Sequence, residues 1–131
     1  MRDKSESVVL DASAIIALIY EEKGSELVEA CLQNAVVSTV NLTEVASYLI
    51  KKDYSSKETM NIIRDLVLTV ENYDAAQAFL AAELIQKTAS KGLSLGDRAC
   101  LALAILKELP ILTADRIWIE LDLPVRIDTI R

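Results

Sequence analysis

The chain has 131 residues, 52% of them hydrophobic, with a net charge of −6 and no histidine. That length suits a single domain over residues 1–131, with an aliphatic core because aromatics are few. The charge argues against nucleic-acid binding through a broad basic face, and the missing histidine removes catalytic triads, imidazole bases and typical zinc sites.

The start, Met1-Arg2-Asp3-Lys4-Ser5-Glu6-Ser7, is charged, leads into only three apolar residues and does not read as a signal peptide. Residues 8–10 form the first predicted strand. Residues 14–20 continue as an apolar helix, and residues 25–32 as a second helical piece after Gly24. Residues 36–38 are the second strand, and Asn41 caps a helix running to about Lys52. Residues 56–66 are helical, with Ile62, Ile63 and Leu66 as an apolar stripe. Residues 66–70 are the third strand. Asp74 caps a long alanine-rich helix that ends at Gly92. Ser94 opens a buried helix over residues 97–109, which Pro110 stops. Residues 111–112 form a strand, residues 116–120 a helical turn, and residues 125–127 the last strand. The longest apolar run, Ala99 to Leu106, is eight residues, too short to span a bilayer. A cytoplasmic protein with no membrane partner is expected. Cys31 and Cys100, lacking metal-ligand spacing, read as buried free thiols.

Strands alternating with helices imply an α/β fold with a parallel sheet and right-handed crossovers. Every helix then begins at the edge where strands end. Four acids fall at that edge: Asp11 ends strand one, Glu44 starts the helix after strand two, Asp97 opens the buried helix, and Asp115 follows strand four. Ligands in open α/β sheets bind at this edge. Converging carboxylates without histidine suit a hard divalent cation, and in a small protein that points to metal-assisted phosphodiester chemistry. Acids that hold metal ions still count as negative in a charge tally, so the net charge does not exclude a nuclease.

Each acid also has an ordinary explanation. Asn41-x-x-Glu44 and Ser94-x-x-Asp97 are capping-box patterns, and Asp11 and Asp115 precede helical residues whose free N–H groups a carboxylate satisfies. Asp74, with Gln77 three residues on, shows the same pattern and is assigned no chemistry. Against capping alone, Asp11 joins an apolar strand to an apolar helix, where an unpaired carboxylate is costly. Spacing does not choose between cap and ligand.

At these residues the chain resembles a PIN-domain ribonuclease, specifically the VapC-like toxins of toxin–antitoxin pairs. Val8-Val9-Leu10-Asp11-Ala12-Ser13-Ala14 is similar to the family's first motif and Thr43-Glu44-Val45 to its second. Leu93-Ser94-Leu95-Gly96-Asp97-Arg98-Ala99 resembles the third, and Pro110-Ile111-Leu112-Thr113-Ala114-Asp115-Arg116 with Trp118 the fourth. The resemblance implies a three-layer α/β/α PIN-like domain with a five-stranded parallel sheet in order 3-2-1-4-5. It also implies an endoribonuclease using Mg2+ or Mn2+, an RNA substrate, homodimerisation and a cognate VapB-like antitoxin. Asp11, Asp97 and Asp115 would coordinate the metal. Glu44 would be a further ligand, direct or through water, and would orient the attacking water.

Ser13 and Thr113 are placed to steer a carboxylate or a metal-bound water, with local backbone capping as the equal alternative. Arg116 is a candidate for substrate phosphate, Arg98 for pairing with neighbouring acids, and Trp118 for the core. The run Ile15, Ile16, Leu18, Ile19 and Tyr20 exceeds one buried helix face, so part of it is expected to meet a partner. The main competing reading is a non-catalytic PIN-like interaction module whose acids are only helix caps. A phosphotransfer receiver would want an acid ending strand three and a lysine ending strand five, and a haloacid-dehalogenase-type phosphatase would want Asp-x-Asp at Asp11. Strand three runs Leu68-Thr69-Val70-Glu71, but strand five ends Arg126-Ile127-Asp128 without a lysine, and the first motif is Asp11-Ala12-Ser13, so both are disfavoured.

Overall fold

The computed structural model describes residues 6–131. The reading of the charged start falls almost wholly on residues 1–5 and lies outside them. The strands are β1 (Val8–Leu10), β2 (Ala35–Ser38), β3 (Thr69–Glu71), β4 (Ile111–Thr113) and β5 (Ile127–Thr129). They form one all-parallel sheet in the expected order, β3-β2-β1-β4-β5. The central strand is fully buried. Both faces of a parallel sheet are covered, so a short unbroken apolar run is its natural sequence.

Alternation along β1 divides the core in two. Val8 and Leu10 pack with α1 (Ala12–Ile19), α2 (Ser25–Cys31), α3 (Thr39–Lys51) and α4 (Ser56–Asp65). Val9 faces the other way, toward α5 (Ala75–Glu83), α7 (Leu95–Lys107) and the buried Trp118. The short α6 (Ile85–Thr88) follows α5. Cys31 and Cys100 are buried, unbridged thiols. Among the described residues, no helix is long and apolar enough to cross a membrane.

Several boundaries move, each for a local reason. Asn41 does not cap α3. Ser38, at the end of β2, accepts from the Val40 N–H at 3.1 Å, and the helix begins at Thr39. Glu44 therefore sits in its second turn. The third strand starts later than residue 66, because Leu66 caps α4 and Val67 adopts φ 56, turning the chain. The alanine-rich helix breaks after Glu83. Buried Thr88 donates its hydroxyl to the Leu84 carbonyl at 2.8 Å, a back-bond that bends helices. A 3-10 turn over Ala89–Lys91 follows, and Gly92 ends it at φ 71. Helix α7 runs from Leu95 to Lys107 rather than over residues 97–109, because Glu108 at φ 54 closes it. The last strand lies two residues later than expected. Residues before it are spent on a turn in which the Val125 N–H reaches the Leu123 carbonyl at 2.8 Å.

Gly24 precedes α2 at φ 93, and a Cβ there would strike the backbone carbonyl of Ile130. Gly24→Ala therefore meets left-handed strain and a backbone clash together. It should destabilise the protein by about 2 kcal/mol. Paired thermal melts check this; equal melting temperatures would show that the Ile130 segment yields freely.

Candidate active site

Asp11 ends β1 and is only 4% exposed. It caps α1, its Oδ1 accepting from the Ala14 N–H at 2.9 Å. The Ser13 hydroxyl donates to both carboxylate oxygens at 2.7 and 2.9 Å, and Thr113 donates to Oδ2 at 2.6 Å. The two hydroxyls lie 3.3 Å apart. Each also receives a backbone N–H from the chain leaving β4: Ala114 onto Ser13 at 2.9 Å and Asp115 onto Thr113 at 3.0 Å. Thus Thr113 steers the acid of the neighbouring strand, not the carboxylate of Asp115.

Burial pushes the Asp11 carboxyl up to about 6. The bonds from Thr113, Ala14 and Ser13 pull against this, and the charge of Asp97 adds to it. Asp11 makes no ion pair among the described residues.

Glu44 is held from two sides. The Asn41 side-chain amide donates to Glu44 Oε1 at 2.8 Å and to the Gly96 carbonyl at 3.0 Å, tying α3 to the first turn of α7. A Cβ at Gly96 would collide with the Glu44 carboxylate. Sequence reading took Asn41 for a cap and passed over Gly96. The sign of Gly96 was the Leu-Gly-Asp order, which puts a residue without a side chain just ahead of an acid; Asn41 had none.

Asp97 forms a reciprocal capping box with Ser94, its Oδ2 accepting from the Ser94 N–H at 2.9 Å. Asp115 caps the 3-10 turn Arg116–Glu120 through Oδ1 and the Ile117 N–H at 3.1 Å. Arg98 pairs with no acid among the described residues, contrary to expectation; its Nη1 donates to the Leu93 carbonyl at 3.0 Å. Arg116 donates to the Arg131 carbonyl at 3.0 Å. Trp118 is fully buried, as expected.

The acids differ in how closely they gather. Asp11, Asp97 and Glu44 all raise the pKa of the buried Cys100 thiol, after the larger effect of burial itself. The backbone N–H of Asp115 bonds to Thr113, which fixes the start of its turn beside Asp11. Among the described residues, no three acidic or thiol groups are arranged as a metal-ligand cluster. The donor set nonetheless fits a hard cation, being four carboxylates and two hydroxyls. Asp97 and Asp115 each engage one oxygen in a cap and leave the other without a hydrogen bond among the described residues. Glu44 does the same with Asn41. A carboxylate accepts at several lone pairs, so capping and coordination are compatible.

The Asp11 shift fixes a sign. Its folded value of about 6 exceeds the ordinary 3.8. The metal-free fold therefore gains most from this group below pH 4. It loses about 3 kcal/mol as pH rises through 6. In EDTA at pH 8, Asp11→Asn should melt above the parent, and the gap should close as pH falls toward 4. Thermal melts across pH check it; a gap independent of pH would show that Asp11 carries no such burden.

A family model of the PIN domain matches residues 8–123. The fold is similar to that of DNA-bound VapBC from Salmonella typhimurium, at 18% identity and TM-score 0.75, covering 96% of this chain and 99% of that one. It is similar to VapBC2 from Rickettsia felis bound to a promoter DNA fragment, at 15% identity and TM-score 0.74, covering 93% and 97%. It is also similar to Mycobacterium tuberculosis VapC20, a toxin that cleaves the sarcin-ricin loop, at 16% identity and TM-score 0.69, covering 92% and 99%. No curated protein matches the chain in sequence. At these identities the structural likeness is one of fold, and the family rests on the match that runs from β1 past the turn carrying Asp115: the chain belongs to the PIN-domain family.

Proposed function

We propose that this chain is the toxin of a VapBC-type pair: a cytoplasmic, homodimeric endoribonuclease that hydrolyses RNA phosphodiester bonds with Mg2+ or Mn2+. The observation that carries the reading is Asp11. A carboxylate buried at the end of the central strand, oriented by two hydroxyls and lacking any cationic partner among the described residues, is costly unless a cation joins it. Asp11, Asp97 and Asp115 would hold the metal, and Glu44 would complete the shell directly or through water. The bound cation would supply charge for the phosphoryl oxygens and acidify a bound water.

The chain's own groups do the positioning. Ser13 and Thr113 aim both oxygens of Asp11. Asn41 fixes Glu44 from α3, and bare Gly96 leaves its carboxylate room. The Ser94 and Ile117 N–H groups hold one oxygen of Asp97 and Asp115, so the other is presented without a search over rotamers. Arg116 stands beside Asp115 as a candidate for substrate phosphate.

A non-catalytic module is favoured by one observation, the closed capping box at Ser94 and Asp97. Cleavage separates the two readings. Total RNA incubated with Mn2+ should be cut, leaving 5′-phosphate and 3′-hydroxyl ends, and EDTA should abolish the cuts. Asp11→Asn should lower the rate by at least about 100-fold while the fold persists. Gly96→Ala should lower it by about 10-fold or more through displaced Glu44. Activity that survives EDTA or Asp11→Asn would sink the catalytic reading.

The antitoxin reading also has a surface. A groove of about 500 Å3 is lined by Leu18 and Ile19 of α1, Leu32 after α2, and Ile62 and Leu66 at α4. Glu21, Glu29 and Asp65 line it with them. An apolar segment carrying basic side chains would match it. A small partner should co-purify from the native host, and Ile62→Asp should weaken its hold by about 10-fold or more. Undiminished binding to that variant would place the partner elsewhere.

A further inference from the structure

A second cavity lies at the start of the helix that carries Asp97. It measures about 220 Å3 and sits between α5–α6 and the start of α7. Ala78, Ala82 and Ile85 line it from one side, Leu95 and Arg98 from the other, with Tyr73 from the loop between β3 and α5. Leu95 and Arg98 flank Asp97 in sequence and share its helix, so the cavity adjoins the carboxyl edge where the acids gather.

Three properties narrow its occupant. The walls are apolar and wet: Leu95 is 60% exposed and Ile85 48%. An aromatic residue lines it, and its backbone is anchored, since the Tyr73 N–H donates to Thr39 Oγ1 at 3.2 Å. A positive charge is on hand, because Arg98 spends Nη1 on the Leu93 carbonyl and makes no ion pair among the described residues. The volume equals that of about seven waters, enough for one planar base and too little for a folded peptide element.

A flat group with apolar faces, joined to an anion, meets all three. We propose that this cleft takes one nucleobase of the RNA strand, stacked against Tyr73, while Arg98 binds an adjacent phosphate. Aromatic rings stack on any base, and apolar walls of fixed shape select its size. The arginine fork suits a phosphate. An acidic peptide would leave the apolar slot unfilled, and a basic one would be repelled by Arg98. Tyr73 and Ala82 are then specificity-determining residues, and Arg98 a sequence-independent phosphate contact, for the cleavage proposed above, on which this inference rests.

Two measurements separate its failure from that of the nuclease reading. In the first, parent, Ala82→Leu and Arg98→Gln each cut a randomised RNA pool with Mn2+, and the ends are sequenced. The parent should prefer one base at a fixed distance from the cut. Ala82→Leu fills the cleft from the exposed face of α5 and should lower kcat/KM on that base about 10- to 100-fold, flattening the preference. Arg98→Gln should lower kcat/KM for all sequences alike. A parent that cuts without base preference, or an Ala82→Leu protein that melts with the parent and keeps its preference, overturns the proposal.

The second needs no cleavage. Nucleoside 5′-monophosphates are titrated into each protein while the methyl signals of Ala78, Ile85 and Leu95 are followed by NMR. They should move in the parent and stay fixed in Ala82→Leu. Moving signals without any cleavage would sink the nuclease and keep the base site; cleavage with unmoved signals would do the reverse.

Discussion

The site depends on one contact between distant parts of the chain: the Thr113 hydroxyl at the end of β4 donating to the Asp11 carboxylate at the end of β1. The two strands are neighbours in the sheet, with Leu10 opposite Leu112. That pairing puts the residue after one strand beside the last residue of the other. The hydroxyl can donate to Asp11 because it also accepts the Asp115 N–H, and Ser13 accepts the Ala114 N–H in the same way. Two hydroxyls thus convert the backbone direction of the chain leaving β4 into the orientation of one side chain. Alanine at either position would remove one of the bonds that hold the carboxylate and leave a backbone N–H unanswered.

Much of this was legible in the sequence because physical constraint there is local. Val8-Val9-Leu10 reads as a central strand because both faces are covered, and Ile111-Leu112 reads the same way. Strand β3 was harder. It is the sheet's edge, Thr69 and Val70 are exposed, and the more apolar residues just before it are used to turn the chain. Alternation is weak evidence where neither face is buried. The side-chain roles that were missed share a cause. Asn41 with Glu44 three residues on is a capping pattern, but Ser38 closes β2 and reaches the orphan N–H first. Asn41 then lies 1% exposed inside the helix, where its amide finds the Gly96 carbonyl 55 positions away. A contact of that separation leaves no periodic trace.

Charge is arranged by depth rather than by total. The chain is acidic, yet the acids at the carboxyl edge are not equivalent. Asp11 is desolvated; Asp97 and Asp115 stand at helix starts, where backbone N–H groups favour a negative charge. Two arginines, Arg98 and Arg116, each follow one of these acids and make no ion pair among the described residues. The edge therefore presents anions and cations that have not neutralised one another. A polyanion could be held there by the arginines and by a cation at the acids, without the broad basic face that the net charge excludes.

Capping and catalysis are then compatible uses of the same residues. The N–H that donates to one oxygen of Asp97 or Asp115 removes most of the rotamer freedom of that side chain, so ordering it around a ligand costs little further entropy. That aim is set within two or three residues and survives any change that keeps the helix. Asp11 is different, because beside its local bonds to Ser13 and Ala14 its aim is also set across the sheet by Thr113. The outer acids are positioned as soon as their helices form, and Asp11 only when β1 and β4 pair. The site is completed by a long-range contact, which couples its chemistry to the integrity of the sheet.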